Sequence, residues 1–144
     1  TYEGPCADAD EACWYIDKLN AEAGEEIFGF CFDIGHSLLT KKNVKQYLLT
    51  IGKRLTILHL HDNNSIFDCH MMPYSYLGSG KGTVCDWEGF VEALREIGYR
   101  GTLSFETFRV LRVLPEALWS DALKYISAIG RYWSDRIEAP ADTE

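Results

Sequence analysis

Three of the chain's four histidines crowd one short window, Leu58-His59-Leu60-His61-Asp62-Asn63-Asn64 followed by Asp68-Cys69-His70. The fourth, His36, closes Asp33-Ile34-Gly35-His36, and a carboxylate, Glu106, follows the apolar Gly101 to Phe105. Imidazole nitrogens and carboxylate oxygens are the donors of choice for hard and borderline divalent ions, and the same groups carry protons near neutral pH. Asp33, His59 and Glu106 are therefore candidate ligands or acid/base groups, with His36, His61, Asp68 and His70 beside them. Each also has a plainer reading. Asp33 is a common loop cap, His36 a turn residue, and a lone His59 inside an apolar strand a hydrogen-bonded core residue. Glu106 is harder to dismiss, because a carboxylate ending a buried strand needs a partner to offset its desolvation.

Leu55 to Leu60 reads as a buried strand that opens into a polar loop where the histidines begin. Ile27 to Phe32 is a second apolar run too short for a helix, read as a strand covered on both faces that delivers Asp33 and His36. Gly101 to Phe105 is the third. Helix signals separate them: Asp8 to Ala23, closed by Gly24; Asn43 to Gly52; a helix from Asp86 or Trp87 stopped by Gly98; and a last one from about Pro115 through Trp133. The strict alternation predicts an α/β fold with parallel strands, each ending in a candidate ligand. Carboxyl ends of parallel strands are where such folds assemble chemistry. The run Gly78-Ser79-Gly80-Lys81-Gly82 is weak evidence for a phosphate cradle, since no helix start follows at the right place.

Composition sets the outer bounds. The 144 residues suit one domain, and a formal charge of -8 argues against a nucleic-acid partner. No signal peptide or apolar run of spanning length appears, so no membrane is expected. Five cysteines, Cys6, Cys13, Cys31, Cys69 and Cys85, contain no C-x-x-C pair and are expected to be reduced, mostly buried thiols of a cytoplasmic protein.

In order, Asp33-Ile34-Gly35-His36, His59-Leu60-His61-Asp62-Asn63, Asp68-Cys69-His70, the glycine-rich run, Asp86-Trp87 and Ile97-Gly98-Tyr99-Arg100-Gly101 leading to Ser104-Phe105-Glu106 resemble the second half of the xylose-isomerase-like TIM-barrel superfamily, the sugar phosphate isomerase/epimerase group. The resemblance runs from about Asp8 to Trp133. It implies that residues 1 to 137 are parallel β/α units forming the C-terminal half of a TIM barrel, with 138 to 144 a flexible tail. It further implies a divalent metal ion, manganese, magnesium, cobalt or zinc, held by Asp33, His59 and Glu106, with His61 the rival imidazole. The family's first Glu would come from a strand before Thr1. Glu106 then doubles as an acid/base group and His36 contacts substrate, a small sugar or sugar phosphate that reacts through a metal-stabilised enediolate. The chain alone is expected to be inactive and to need the missing barrel half or a second copy as partner.

Two other readings stand beside this one. Zinc-dependent apurinic-site endonucleases share the pattern, and their Asp-x-His resembles Asp68-Cys69-His70, with His36 completing a further metal site. A non-catalytic sugar-binding remnant is expected if the native gene starts near Thr1.

Overall fold

The computed structural model describes residues 4–79 and 82–139. The first four α-helices begin where a short polar side chain takes over an unpaired amide of the first turn. Asp8 accepts from the amide of Asp10 ahead of α1 (Ala9–Ala23), and Gly24, at φ 75°, ends that helix in the left-handed region. After β1 (Phe30–Asp33), the Asp33 carboxylate caps α2 (Ile34–Leu39), a short helix that the sequence reading did not anticipate. Asn43 caps α3 (Val44–Ile51), and a 3-10 turn leads to β2 (Leu55–Leu60). Asp86 caps α4 (Trp87–Glu96), which precedes β3 (Leu103–Phe105). Two further segments close the described chain: α5 (Phe108–Val113), also unanticipated, and α6 (Trp119–Glu138). The last helix starts after Pro115 and a 3-10 turn, later than expected, and it runs to Glu138. The tail expected from 138 onward lies outside the described residues beyond 139.

The three strands form one parallel sheet in the order β1-β2-β3. Its register sets Asp33 beside His59 and His59 beside Ser104, while the amide of Glu106 donates to Leu60 O at 3.0 Å and extends the ladder one step. Alternation does the rest. Phe32, Leu58 and Leu60 face the helices in a core that includes Leu48, Ile51, Phe90 and Leu94. Cys31, Asp33, Ile57, His59 and Ser104 take the opposite face. That face is open: Ile57 is 49% exposed.

Two expectations about burial are thereby corrected. The first strand was expected over Ile27 to Phe32 and covered on both faces, but it starts at Phe30, and Ile27 is 60% exposed. The reason is the Asn20 side chain, which accepts from the amides of Ile27 and Phe28 and donates to Phe28 O, using backbone groups a strand would need. The cysteines were expected to be mostly buried, yet only Cys85 is, and Cys31 is exposed because its face of the sheet has no opposing layer. None is paired with another.

The segment after β2 is anchored in two places. Asp62 and Met71 exchange backbone hydrogen bonds of 2.8 and 3.0 Å, and Tyr74 Oη accepts from Trp133 Nε1 at 2.9 Å. Trp133 stacks on Trp87 and on Phe105, so α6, α4 and β3 share one aromatic cluster with the loop.

Candidate metal centre

Asp33 ends β1 as both strand residue and helix cap, and its two oxygens have different neighbours. Oδ1 accepts from the His36 amide at 2.9 Å and from His61 Nε2 at 3.0 Å. Oδ2 lies 3.9 Å from His59 Nδ1 and 3.5 Å from His36 Nδ1, beyond ordinary hydrogen-bond range. Burial pushes the Asp33 carboxyl up, but the His61 and His36 hydrogen bonds outweigh it and hold the group below the usual carboxylate range. Asp33 is thus a carboxylate with one oxygen occupied and one free.

His59 comes one strand over, on the open face, with Nδ1 3.4 Å from Glu106 Oε1. Asp33, His59 and Glu106 each offer one donor atom within 4.8 Å of the others. Two overlapping sets meet the same criterion: Asp33, His36 and His61, and His61, His70 and Glu106. Separations of 3.4 and 3.9 Å suit donors about 2.0 to 2.2 Å from a common ion, given a small contraction.

His61 stands apart from His59 in its surroundings. Its ring is 0% exposed, stacked on His70 at 3.8 Å between centroids and 13° between planes. The other face lies on Gly35, where any Cβ would overlap the imidazole. His70 in turn donates from Nδ1 to Glu106 O at 3.0 Å and meets Asp68 Oδ2 at 3.0 Å through Nε2. Asp68 also reaches His36 Nε2, at 3.7 Å, and His61 Nε2, at 3.9 Å. All seven residues singled out from the sequence, Asp33, His36, His59, His61, Asp68, His70 and Glu106, therefore converge at the carboxyl end of the sheet. Cys69 does not join the candidate metal-ligand groups.

The donor chemistry fits a cation. Among the described residues, Asp33, Asp68 and Glu106 have ion-pair partners only in histidines, with no Lys or Arg within reach. Two buried atoms here, His61 Nδ1 and Asp68 Oδ1, also lack a hydrogen-bond partner. Three carboxylates gathered with imidazoles, with no Lys or Arg paired to them among the described residues, are a donor set that suits a divalent ion.

Sequence reasoning missed Asp62, Asn63 and Gly35. Asp62 is fully buried, accepts from the amides of Asn63 and Ser75 at 2.9 and 3.0 Å, and has its carboxyl pushed up by burial to about 6. The dipeptide Asp62-Asn63 has the polarity of a surface turn, which hid its burial. A cavity of about 460 Å³ adjoins the centre, lined by Phe30, Phe32, Asp33, His36, Tyr47 and Asp68 among others.

A family model described as a xylose isomerase-like TIM barrel matches residues 2–129. The uncharacterized protein y4fM of Sinorhizobium fredii is 30% identical over 111 residues, 77% of this chain and 33% of that protein. The chain thus spans about a third of the length of this curated relative. No solved structure matches it.

Proposed function

Because the chain belongs to the xylose isomerase-like TIM-barrel family, we propose that it is the part of a metal-dependent sugar or sugar phosphate isomerase/epimerase that carries three of the metal ligands. The observation behind this reading is the row of Asp33, His59 and Glu106 at the carboxyl end of a parallel sheet, free of Lys and Arg among the described residues. A manganese, magnesium, cobalt or zinc ion held there supplies Lewis-acid polarisation of a sugar carbonyl and the adjacent hydroxyl. Glu106, with Oε1 toward His59 and Oε2 toward His70, takes or returns the proton on the carbon next to the carbonyl. His36 stands in the open beside Asp33 and donates a hydrogen bond to a sugar hydroxyl, fixing which carbon faces Glu106.

The outer edges of β1 and β3 are unpaired among the described residues, and the open face exposes Cys31 and Ile57. Another barrel half or a second copy covers them in the working enzyme. No helix among the described residues is long and apolar enough to cross a membrane. Five unpaired cysteines fit a reducing, cytoplasmic setting.

The test is proton transfer itself. Ketoses, aldoses and their phosphates incubated with the full-length protein in deuterated water should gain deuterium at the carbon next to the carbonyl, and Glu106→Gln should abolish that gain. A second reading, phosphodiester hydrolysis at an abasic site, is favoured by one observation: Asp68 lies between His36 and His70 and keeps a buried oxygen without a partner. Cleavage of an abasic-site oligonucleotide with no deuterium gain in any sugar would move the assignment there.

A further inference from the structure

We infer that Asn63, which reaches none of the three ligands, is the positioning residue that decides which oxygen of Asp33 and which imidazole face the metal. The inference rests on the metal-centre reading above. Asn63 is fully buried, and its polar groups are spent on fastening two segments together. Nδ2 donates to Gly35 O at 2.7 Å, Oδ1 accepts from the Ser65 amide at 2.9 Å, and its own amide donates to Asp62 Oδ1 at 2.9 Å. A buried amide so completely paired is costly to disturb and holds its partners in register.

What it holds is the first turn of α2. That helix is one of the shortest in the chain, and tertiary contacts rather than its own ladder must keep it in place. With Gly35 fixed from behind by Asn63, its Cα forms one wall of a slot whose other wall is His70. The His61 ring fills the slot, and in that orientation Nε2 donates to Asp33 Oδ1. Since the His36 amide takes the same oxygen, Oδ1 is saturated and Oδ2 alone is presented toward His59 and Glu106. His61 is then a support for Asp33, and His59 is the imidazole that binds the ion. Supports of this kind typically change metal affinity by about 10- to 100-fold when lost.

The experiment compares wild type, Asn63→Ala, Gly35→Ala, His61→Asn and His59→Ala in the full-length protein. Manganese affinity is read by calorimetry, coordinated imidazole by pulsed electron paramagnetic resonance, and the His61 ring by nitrogen NMR of the metal-free protein. Asn63→Ala should weaken manganese binding about 10- to 100-fold with the imidazole coupling intact, and should remove the exchange-protected Nε2 proton of His61. Gly35→Ala fills the slot from the other side without touching Asn63 and should give the same two changes if Asn63→Ala does not fold. The coupling should vanish in His59→Ala and persist in His61→Asn. Loss of the coupling in His61→Asn, or an unchanged affinity and His61 resonance in Asn63→Ala, overturns the inference. A wild type that binds no manganese contradicts the metal centre instead, and the metal-free resonance still decides on Asn63.

Discussion

Several carboxylates on the outside of the helical layer meet cations. Asp17 takes Arg54 at 2.6 Å, Glu92 takes Lys45 at 2.7 Å, and Glu88 takes Arg136 at 2.6 Å. At the carboxyl end of the sheet, Asp33, Asp68 and Glu106 meet only imidazoles among the described residues. The outer pairs are complete as they stand, solvated and individually weak. The inner group is an arrangement of acceptors with no fixed cation, and it makes electrostatic sense when a mobile one is supplied. The same sequence thus treats carboxylates in two ways, and the proposed metal centre rests on that difference.

The sharpest way to break the comparison is to remove a carboxylate from the inner group. Asp33→Asn and Glu106→Gln should each weaken divalent-metal binding by more than about 100-fold, since a direct ligand counts for more than the 10- to 100-fold of a supporting residue. Without metal, Asp33→Asn should lower the melting temperature, because the fold favours the ionised Asp33 through the His36 amide and His61, whereas Glu106→Gln should leave it near that of wild type; a large loss of stability in Glu106→Gln would show that this carboxylate is structural.

Asp62 gives the next largest effect. Its carboxyl is raised to about 6 in the fold, above the ordinary value near 3.8, so the folded state prefers it protonated. Its contribution to stability is therefore greatest below pH 4 and is lost as pH rises through 6, a swing of up to about 3 kcal/mol. Denaturation of wild type and Asp62→Asn at pH 4 and pH 7 isolates it: the wild type should gain on the variant at the lower pH, and a difference that does not change with pH rejects the assignment.

Gly35→Ala should cost about 1–3 kcal/mol by urea denaturation, as a methyl group enters the slot that His61 fills. At the small end, Arg136→Met, which removes the ion pair to Glu88, should change stability by less than about 1 kcal/mol and leave metal affinity untouched. A larger effect on metal binding there would erase the distinction between the two regions.

Much of this organisation is legible in the sequence. The alternation of helix and strand, the caps Asp8, Asn43 and Asp86, and the placing of Asp33, His59 and Glu106 at strand ends follow from periodicity and from the residues that open helices. Short helices were not legible. The six residues of α2 and of α5 carry too few turns for a periodic signal, and α2 exists because Asp33 caps it and Asn63 pins it. The difference in surroundings between His59 and His61 was not legible either. Two histidines at i and i+2 look alike in a strand, and what separates them is Gly35 and His70 closing on one ring, a contact made across the fold. Ile27 and Phe28 misled for a related reason: apolar side chains promise burial, but Asn20 claims their backbone.

Metal stoichiometry tests the account most directly. The full-length protein, loaded with manganese, cobalt or zinc in turn, desalted and subjected to elemental analysis beside Glu106→Gln, should retain about one ion per chain in the wild type and none in the variant. A wild type that retains none, or a variant that keeps its ion, would contradict the assignment of Asp33, His59 and Glu106 as a metal centre.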